Sequence, residues 1–185
     1  MYDIVFISYN EALADHNFKL LCDRFPIAQR VNGVKGIHKA HIEAAEVSMT
    51  KMFWVVDADA QIVKDFNFDY KVDQYNLDTV HVWQSLNPIN DLQYGYGGVK
   101  LLPKQLTLDM DTTTTDMTTS ISKNFKAIKQ VSNITAFNSD PFSAWKSAFR
   151  ECVKLSSKVI DRQQDNETEQ RLDIWCSKGA DRPYA

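Results

Sequence analysis

Two short apolar runs, each followed directly by polar residues, mark the first 60 positions of the chain. Residues 3–8, DIVFIS, and residues 51–59, KMFWVVDAD, are rich in β-branched and aromatic side chains and predict buried strands. Between them, residues 9–25 and 37–50 predict helices, and the glycines of residues 32–36 predict a turn. This alternation of strands and helices predicts an α/β domain with parallel strands.

The later part of the chain gives weaker patterns. Residues 79–86 predict a strand, and residues 94–102 predict a glycine-rich turn followed by a short strand. Residues 107–120 contain seven Thr and three Asp, which predicts a mobile loop. Residues 140–160 have the pattern of an amphipathic helix, and residues 166–179 predict a last helix.

Length and composition favour one soluble domain, residues 1–185. Hydrophobic residues make up 44% of the chain and charged residues 24%, with a formal net charge of −3. No apolar run approaches the roughly 20 residues that span a bilayer. The three cysteines Cys22, Cys152 and Cys176 are far apart, which indicates reduced thiols in a cytoplasm, the host cytoplasm if the protein is phage-encoded.

Polar clusters follow both predicted strands of the first 60 residues. Asp57 and Asp59 stand one residue apart after the second strand, and residues 8–11, SYNE, follow the first. Ligands of open α/β sheets bind beyond the carboxyl ends of the strands. Two carboxylates at i and i+2 can share one Mg²⁺ or Mn²⁺ ion, and a polar turn is the alternative.

Three segments resemble glycosyltransferase family 2 in order and spacing, over about residues 2–104. FISYNEA resembles the end of that family's first strand. VKGIHKAHIEAAEVSMTKMFWVVDADAQI resembles its basic turn, Ala-rich helix and Asp-x-Asp strand, and GYGGVKLLPK resembles its later Gly-Gly strand. The chain also looks like glycosyltransferase-like proteins of tailed phages.

The resemblance implies a GT-A fold, a Rossmann-like mixed sheet flanked by helices. It also implies a nucleotide-diphosphate sugar donor, a divalent cation and transfer of the sugar to an acceptor hydroxyl. Residues 1–104 would then bind the nucleotide sugar and residues 105–185 would form the acceptor side.

Carried over by position, the resemblance assigns roles to individual residues. Asp57 and Asp59 would bind the metal, and Gly97 and Gly98 would let the backbone approach the sugar or the acceptor. The residues expected to bind the nucleotide sugar are Ser8, Tyr9, Asn10, Glu11, Lys35, His38, His41 and Asp57. For His38 and His41, the alternative to nucleotide-sugar binding is a role at the surface or in helix capping.

The carboxyl-terminal half departs from the family pattern, because its late acidic pair has no clean match. Asp140 is the first candidate for the catalytic base and Glu151 the second. An N-cap before Pro141 would equally explain Asp140. The aromatic residues Trp83, Tyr94 and Tyr96 would either stack on a sugar or base on the acceptor side, or pack in the core.

A row of basic residues in the predicted helix after Asp140 raises the prospect of a polyanionic acceptor. The row would wind around the helix as a stripe that can follow a phosphate backbone. With the phage resemblance, it favours a hydroxymethylated base in DNA as the acceptor, and a glycan or small molecule is the alternative. The row is Lys146, Arg150, Lys154, Lys158 and Arg162. The competing interpretation is a solvated face, with the apolar residues turned to the core, namely Ala148, Phe149, Cys152, Leu155 and Ile160.

Three other functions compete with glycosyl transfer. A haloacid dehalogenase-type hydrolase also has a strand that ends in Asp-x-Asp, with the first Asp as nucleophile. A catalytically silent module would keep the donor pocket but lack a base. A sugar nucleotidyltransferase is disfavoured, because its opening glycine-rich phosphate loop is absent from DIVFISYNE.

Overall fold

Strand β1 (Asp3–Ser8) lies between two parallel neighbours, β2 (Gln29–Asn32) and β3 (Met52–Asp57). Helix α1 (Ala14–Arg24) connects β1 to β2, and helix α2 (Ile37–Val47) connects β2 to β3. The parallel arrangement predicted from the first 60 residues is therefore confirmed. Our computed structural model describes residues 1–95, 97–114, 116–136, 140–157 and 164–182.

The remaining strands make the sheet mixed. The later strands are β4 (Ala60–Ile62), β5 (Val80–Leu86), β6 (Gln93–Tyr94), β7 (Val99–Pro103) and β8 (Phe125–Thr135). Within the described residues the sheet has the order β2-β1-β3-β7-β5-β8-β4, and β6 pairs with β5. Strand β7 runs antiparallel to β3 and β5, whereas β8 runs parallel to β5. A single α/β domain with a mixed sheet flanked by helices is thus confirmed.

The two faces of the sheet carry separate cores, because alternate residues of each strand point to opposite faces. On one face, Trp54 and Trp83 pack with Phe66 and Phe68, with ring centroids of Trp54 and Trp83 4.5 Å apart. On the other face, Val55 and neighbouring strand residues pack under α2. The α-helices that follow α2 in the described residues are α3 (Lys104–Leu108), α4 (Met117–Ile121), α5 (Pro141–Ser156) and α6 (Asp165–Ser177).

The Thr-rich segment 107–120 is not simply a loop. It includes the end of α3 and most of α4, and Asp116 caps α4 by accepting a hydrogen bond from the backbone N–H of Thr118. Met110 and Met117 are buried against the α2 face of the sheet. These apolar anchors, spaced among the threonines, tie the segment to the core. No helix in the described part of the chain is long and apolar enough to cross a membrane.

Candidate functional site

A cavity of about 380 Å³ lies beyond the carboxyl ends of the parallel strands β1 and β3. The two polar clusters predicted to share this edge of the sheet do meet here. Helix α2 contributes a second wall, and helix α5 contributes a third. The principal polar lining residues are Ser8, Tyr9, Glu11, His41, Asp57, Asp59, Ser147, Arg150, Glu151 and Lys154.

Asp57 at the end of β3 is held by Lys100 of the neighbouring strand β7. The Lys100 ammonium nitrogen lies 2.9 Å from both Asp57 carboxylate oxygens, and it donates to the Gly97 carbonyl at 2.5 Å. The Lys100 side chain is only 4% exposed. Asp57 was predicted to bind a metal, but both its oxygens already bind this cation. Its first role is therefore to neutralise a buried lysine.

Lys100, the ion-pair partner of Asp57, was not predicted from the sequence. It lies inside the short strand β7, VKLLP, whose five residues are all buried. A lone lysine inside an apolar strand is the signal that could have revealed it, because a buried cation requires a partner. Only the antiparallel pairing of β3 with β7 brings the two side chains together.

Asp59 follows β3 in the turn towards β4, and its carboxyl group lines the cavity. The backbone carbonyl of Asp59 accepts a hydrogen bond from Ala136 at 2.6 Å, which fixes the turn. Burial, and then the charge of Asp57, raise the pKa of Asp59 to about 7, while Lys100 opposes the shift. Binding of a cation at the cavity would favour its ionised form.

The protein ligands alone fit a divalent cation only in part. Among the described residues, no group of three or more His, Cys, Asp or Glu side chains is arranged to hold a metal ion. Within the Asp-x-Asp pair, Asp57 is engaged by Lys100, which leaves Asp59 as the member that can bind a cation in the cavity. Mg²⁺ is commonly held by one or two carboxylates and completed by substrate phosphates and water. Asp59 fits that kind of site and not a fully protein-enclosed one.

The segment after β1 places its residues unequally around the cavity. Tyr9 is 48% exposed at the rim, and the Glu11 carboxylate lines the cavity and accepts a hydrogen bond from the Tyr9 N–H at 2.7 Å. The buried Ser8 hydroxyl accepts from Arg30 Nε at 2.9 Å. Asn10 is exposed and does not line the cavity. Tyr9 and Glu11 are therefore the residues of this segment that can contact a ligand.

The two histidines of α2 have different surroundings. His41 is buried, lines the cavity, and donates from Nδ1 to the Ile37 carbonyl at 2.8 Å. Burial lowers the pKa of His41 to about 3, so the ring is neutral. His38 Nε2 instead lies 3.4 Å from the Thr114 hydroxyl. Neither His38 nor the exposed Lys35 lines the cavity.

Helix α5 brings Glu151 to the cavity but not Asp140. The Asp140 carboxylate caps α5, since it accepts from the Ser143 N–H at 2.9 Å and from the Ser143 hydroxyl at 2.7 Å. Glu151 is buried and lies 3.3 Å from Lys154 Nζ and 3.6 Å from an Arg171 nitrogen of α6. The N-cap interpretation of Asp140 is thus confirmed, and its catalytic role stays a prediction.

Part of the predicted basic stripe turns towards the cavity. Arg150 and Lys154 line it, opposite the carboxylates that follow β1 and β3. Lys158 and Arg162 lie outside the described residues. Phe149, which was expected to face the core, is 55% exposed. The sequence predicted a row of cations on this helix, but it did not predict that Arg150 and Lys154 line the cavity.

The residues predicted for the acceptor side are mostly structural. Trp83 is fully buried in the aromatic core, so it has no surface to offer a ligand. A Cβ atom on Gly98 would lie 2.9 Å from the Asn133 side-chain nitrogen, so this glycine serves strand packing. Gly97 has a φ of +86°, and its carbonyl accepts from Lys100. Tyr96 lies outside the described residues.

Comparisons with known proteins correct the expected family. No protein-family model and no curated protein sequence matches the chain. Among solved structures, the chain is similar to the crystal structure of HddC from Yersinia pseudotuberculosis. The TM-score is 0.43 with 14% identity, over 78% of this chain and 76% of that chain.

The assignment to glycosyltransferase family 2 and to phage-encoded glycosyltransferases is therefore wrong. The solved structure reported above is HddC and not a member of that family, and no family model supports the three motifs. The likeness to HddC is distant, and we take no activity or residue role from it. The short segments that suggested the family are explained locally. Strand β3, which ends at Asp57, is a buried strand, and its Asp57 pairs with Lys100. Gly98 allows close packing against Asn133.

Proposed function

We propose that the protein is a transferase that acts on a nucleotide sugar bound in the cavity between β1, β3 and α5. The observation that carries the proposal is the opposition of charges across this cavity. Asp59 and Glu11 lie on the sheet side, and Arg150 and Lys154 lie on the α5 side. The volume of about 380 Å³ falls within the range of about 300–1,000 Å³ typical of small-molecule sites.

The two cations of α5 suit a diphosphate. Arg150 can engage phosphate oxygens through two N–H groups, and Lys154 adds a second positive charge beside it. Lys154 also lies 3.3 Å from Glu151, so this carboxylate restrains the ammonium group at the cavity wall. At the rim, Tyr9 offers an exposed ring on which a nucleobase can stack.

The proposal includes one Mg²⁺ or Mn²⁺ ion held by Asp59 and by phosphate oxygens of the ligand. When bound, such an ion neutralises charge on the diphosphate leaving group. Asp57 is not assigned to this ion, because its carboxylate oxygens both bind Lys100. Asp57 and Lys100 together keep the floor of the cavity close to electrically neutral.

Glycosyl transfer is the reaction that we assign to this ligand. An acceptor hydroxyl would attack the anomeric carbon, the bond from that carbon to the diphosphate would break, and a carboxylate would take the hydroxyl proton. Glu151 is favoured over Asp140 for the proton, because Glu151 lines the cavity and Asp140 caps a helix. A hydrolase with Asp57 as nucleophile is disfavoured, because the buried Lys100 holds both Asp57 oxygens at 2.9 Å. Glu151 has longer ion pairs, at 3.3 Å to the half-exposed Lys154 and at 3.6 Å to Arg171.

The test is a thermal-shift screen of nucleoside diphosphates and nucleotide sugars, with and without Mn²⁺. A ligand at 100 times its dissociation constant should stabilise the fold by about 2.7 kcal/mol. Stabilising donors are then incubated with glycans, hydroxymethylcytosine DNA and plain DNA, and the products are weighed by mass spectrometry. Absence of any nucleotide-dependent shift would overturn the proposal.

The products also separate the competing reactions. Glycosyl transfer releases nucleoside diphosphate and adds a sugar mass to an acceptor. Nucleotidyl transfer would instead consume a nucleoside triphosphate and a sugar phosphate and release pyrophosphate. Binding without turnover in either assay would indicate a silent binding module.

A further inference from the structure

Helix α5 carries a continuous row of exposed apolar side chains. Phe142, Trp145, Phe149 and Val153 are 66%, 60%, 55% and 47% exposed, respectively. The Trp145 and Phe149 rings stack with centroids 5.5 Å apart, and the Phe142 ring lies 6.0 Å from that of Trp145. Their spacing of three or four residues places them on one side of the helix. A contiguous apolar patch of this kind marks a contact surface.

Cations lie between this aromatic row and the cavity. At about 100° per residue, Lys146, Arg150 and Lys154 follow one another around α5 from the edge of the aromatic row to the cavity wall. Lys146 and Arg150 are exposed, and Arg150 and Lys154 line the cavity. The surface therefore changes from aromatic to cationic towards the mouth of the cavity.

The opposite rim of the cavity is also apolar. Tyr9, after β1, is 48% exposed, and Ile37, at the start of α2, is 56% exposed. Both residues line the cavity that Arg150 and Lys154 line from the other side. Exposed apolar side chains thus flank the cavity mouth on two sides, with cations close to its opening.

We infer that this surface docks on an anionic phospholipid bilayer. An amphipathic helix with aromatic residues on one face and Lys or Arg beside them lies in the plane of the membrane interface. The aromatic rings would enter the boundary between headgroups and acyl chains, and the cations would meet lipid phosphates. The mouth of the cavity would then face the membrane surface.

The size of the row disfavours a second copy of the chain as the partner. Each of its three aromatic side chains has a surface of about 150–250 Å² and is little more than half exposed. Together they expose roughly 400 Å² that a partner could bury. A stable dimer buries about 800 Å² on each partner. A symmetric contact on this surface would also bring the cations Lys146, Arg150 and Lys154 of both copies into one interface, where like charges repel.

The experiment is flotation of the purified 185-residue chain with lipid vesicles. Vesicles of phosphatidylcholine are compared with vesicles that also contain about 30% phosphatidylserine, a lipid of the anionic class that attracts basic surfaces. We expect the bound fraction to rise at least about fivefold with phosphatidylserine, and to fall as salt increases from about 0.05 to 0.5 M. No activity or nucleotide is involved, so the result is independent of the proposed function.

Matched variants identify the surface. Trp145→Ser and Phe149→Ser should each reduce binding at least about tenfold, since each removes an aromatic side chain from the interface. Tyr75→Ser removes an exposed aromatic residue elsewhere, 83% exposed, and should leave binding unchanged. Lys146→Gln should weaken binding to anionic vesicles, and Lys64→Gln, at another exposed lysine, should not. Circular dichroism melts verify that each variant folds.

Fluorescence provides a second readout. Trp145 emission should shift to shorter wavelength on vesicle binding, and Trp145→Phe should bind normally but lose that shift. Equal binding by the Ser variants and the wild-type chain, or no binding to anionic vesicles, would overturn the inference. If the chain does not bind vesicles but dimerises with increasing concentration, and Trp145→Ser abolishes the dimer, the partner of this surface is a second copy of the chain and not a membrane.

Discussion

The Lys100 ammonium group bridges both carboxylate oxygens of Asp57 at 2.9 Å, across the antiparallel pair β3 and β7. This ion pair lies directly beneath the proposed ligand site. It fixes the first carboxylate of the Asp-x-Asp segment and leaves the second, Asp59, facing the cavity. The two aspartates therefore have different roles despite their spacing of two residues.

Replacing Lys100 with Met should destabilise the protein strongly. The change leaves the Asp57 carboxylate without its buried cation, and breaking such a pair costs about 3–5 kcal/mol. The double variant Lys100→Met with Asp57→Asn should recover most of that loss. Urea denaturation measures both, and Lys39→Met, at an exposed lysine of α2, is the control. A loss below about 1 kcal/mol, as for a surface pair, would contradict this account.

Asp59→Asn should abolish the Mn²⁺ dependence of nucleotide-sugar binding while the protein stays folded. The amide keeps the size of the side chain but removes the negative charge that a hard cation requires. Calorimetric titration of a donor with and without Mn²⁺ gives the comparison. Asp65→Asn, at an exposed aspartate, serves as the control. Unchanged metal dependence in Asp59→Asn would remove Asp59 from the proposed site.

Arg150→Gln should weaken binding of a nucleoside diphosphate about tenfold or more, because a hydrogen bond to a charged group contributes about 1.5–3 kcal/mol. Binding of the corresponding nucleoside should be unchanged, since the cation is assigned to the phosphates. Lys146→Gln is the matched control, because Lys146 is exposed on the same helix but does not line the cavity. Equal losses for nucleoside and diphosphate would indicate a structural role for Arg150.

Asp140→Ala should lower stability by about 1 kcal/mol, the usual cost of losing an N-cap. Asp140→Asn should be nearly neutral, because Asn caps helices as well as Asp does. Thermal or urea unfolding measures the pair. If Asp140→Asn keeps its stability and donor binding yet loses all transfer, the catalytic role predicted from the sequence would be restored to Asp140 and taken from Glu151.

His41 should make the protein less stable as the pH falls below neutrality. Its pKa is about 3 in the folded protein and about 6.5 in an unfolded chain. The unfolded state therefore takes up a proton between those values while the folded state does not. The contribution of His41 to the free energy of unfolding is fully present above pH 6.5. About 2 kcal/mol of it is lost when the pH falls to 5.

The measurement is urea unfolding of wild type and His41→Gln at pH 7.5 and pH 5. The variant should be less stable at pH 7.5 because packing is altered, but its stability should depend less steeply on pH. His16→Gln, at an exposed histidine of α1, should retain the wild-type dependence. Parallel pH profiles for wild type and His41→Gln would show that His41 is not buried in its neutral form.

Strand β8 illustrates what the sequence pattern concealed. It spans eleven residues, FKAIKQVSNIT, and was not predicted because its apolar and polar residues do not alternate. Its buried positions include Ser132, Asn133 and Thr135, which are polar. The hydroxyl of Ser85 donates to the Asn133 side-chain oxygen at 2.9 Å, and the Ser132 hydroxyl donates to the Gln84 carbonyl at 3.2 Å, so the neighbouring strand β5 supplies partners for two of these residues. These partners lie on β5, far from β8 in the sequence, so a local pattern of residues does not reveal them.

The sequence by itself determined the elements whose signals are local. Strands β1 and β3, the helices between them and the cap of α5 at Asp140 follow from apolar periodicity, turn glycines and a capping residue before Pro141. It also placed the SYNE and DAD clusters at one edge of the sheet, because parallel strands end on the same side. Their meeting at one cavity confirms that expectation.

Tertiary structure decided which polar residues face that cavity. Lys100 reaches Asp57 only through a strand pairing between residues 43 positions apart. Arg150 and Lys154 enter the site because α5 borders the cavity beyond the ends of β1 and β3, whereas Trp83 turns into the core on the alternating face of β5. Helical and strand periodicity specify which side chains share a face, but they do not specify what each face meets. That depends on contacts between distant segments, which form only when the chain folds.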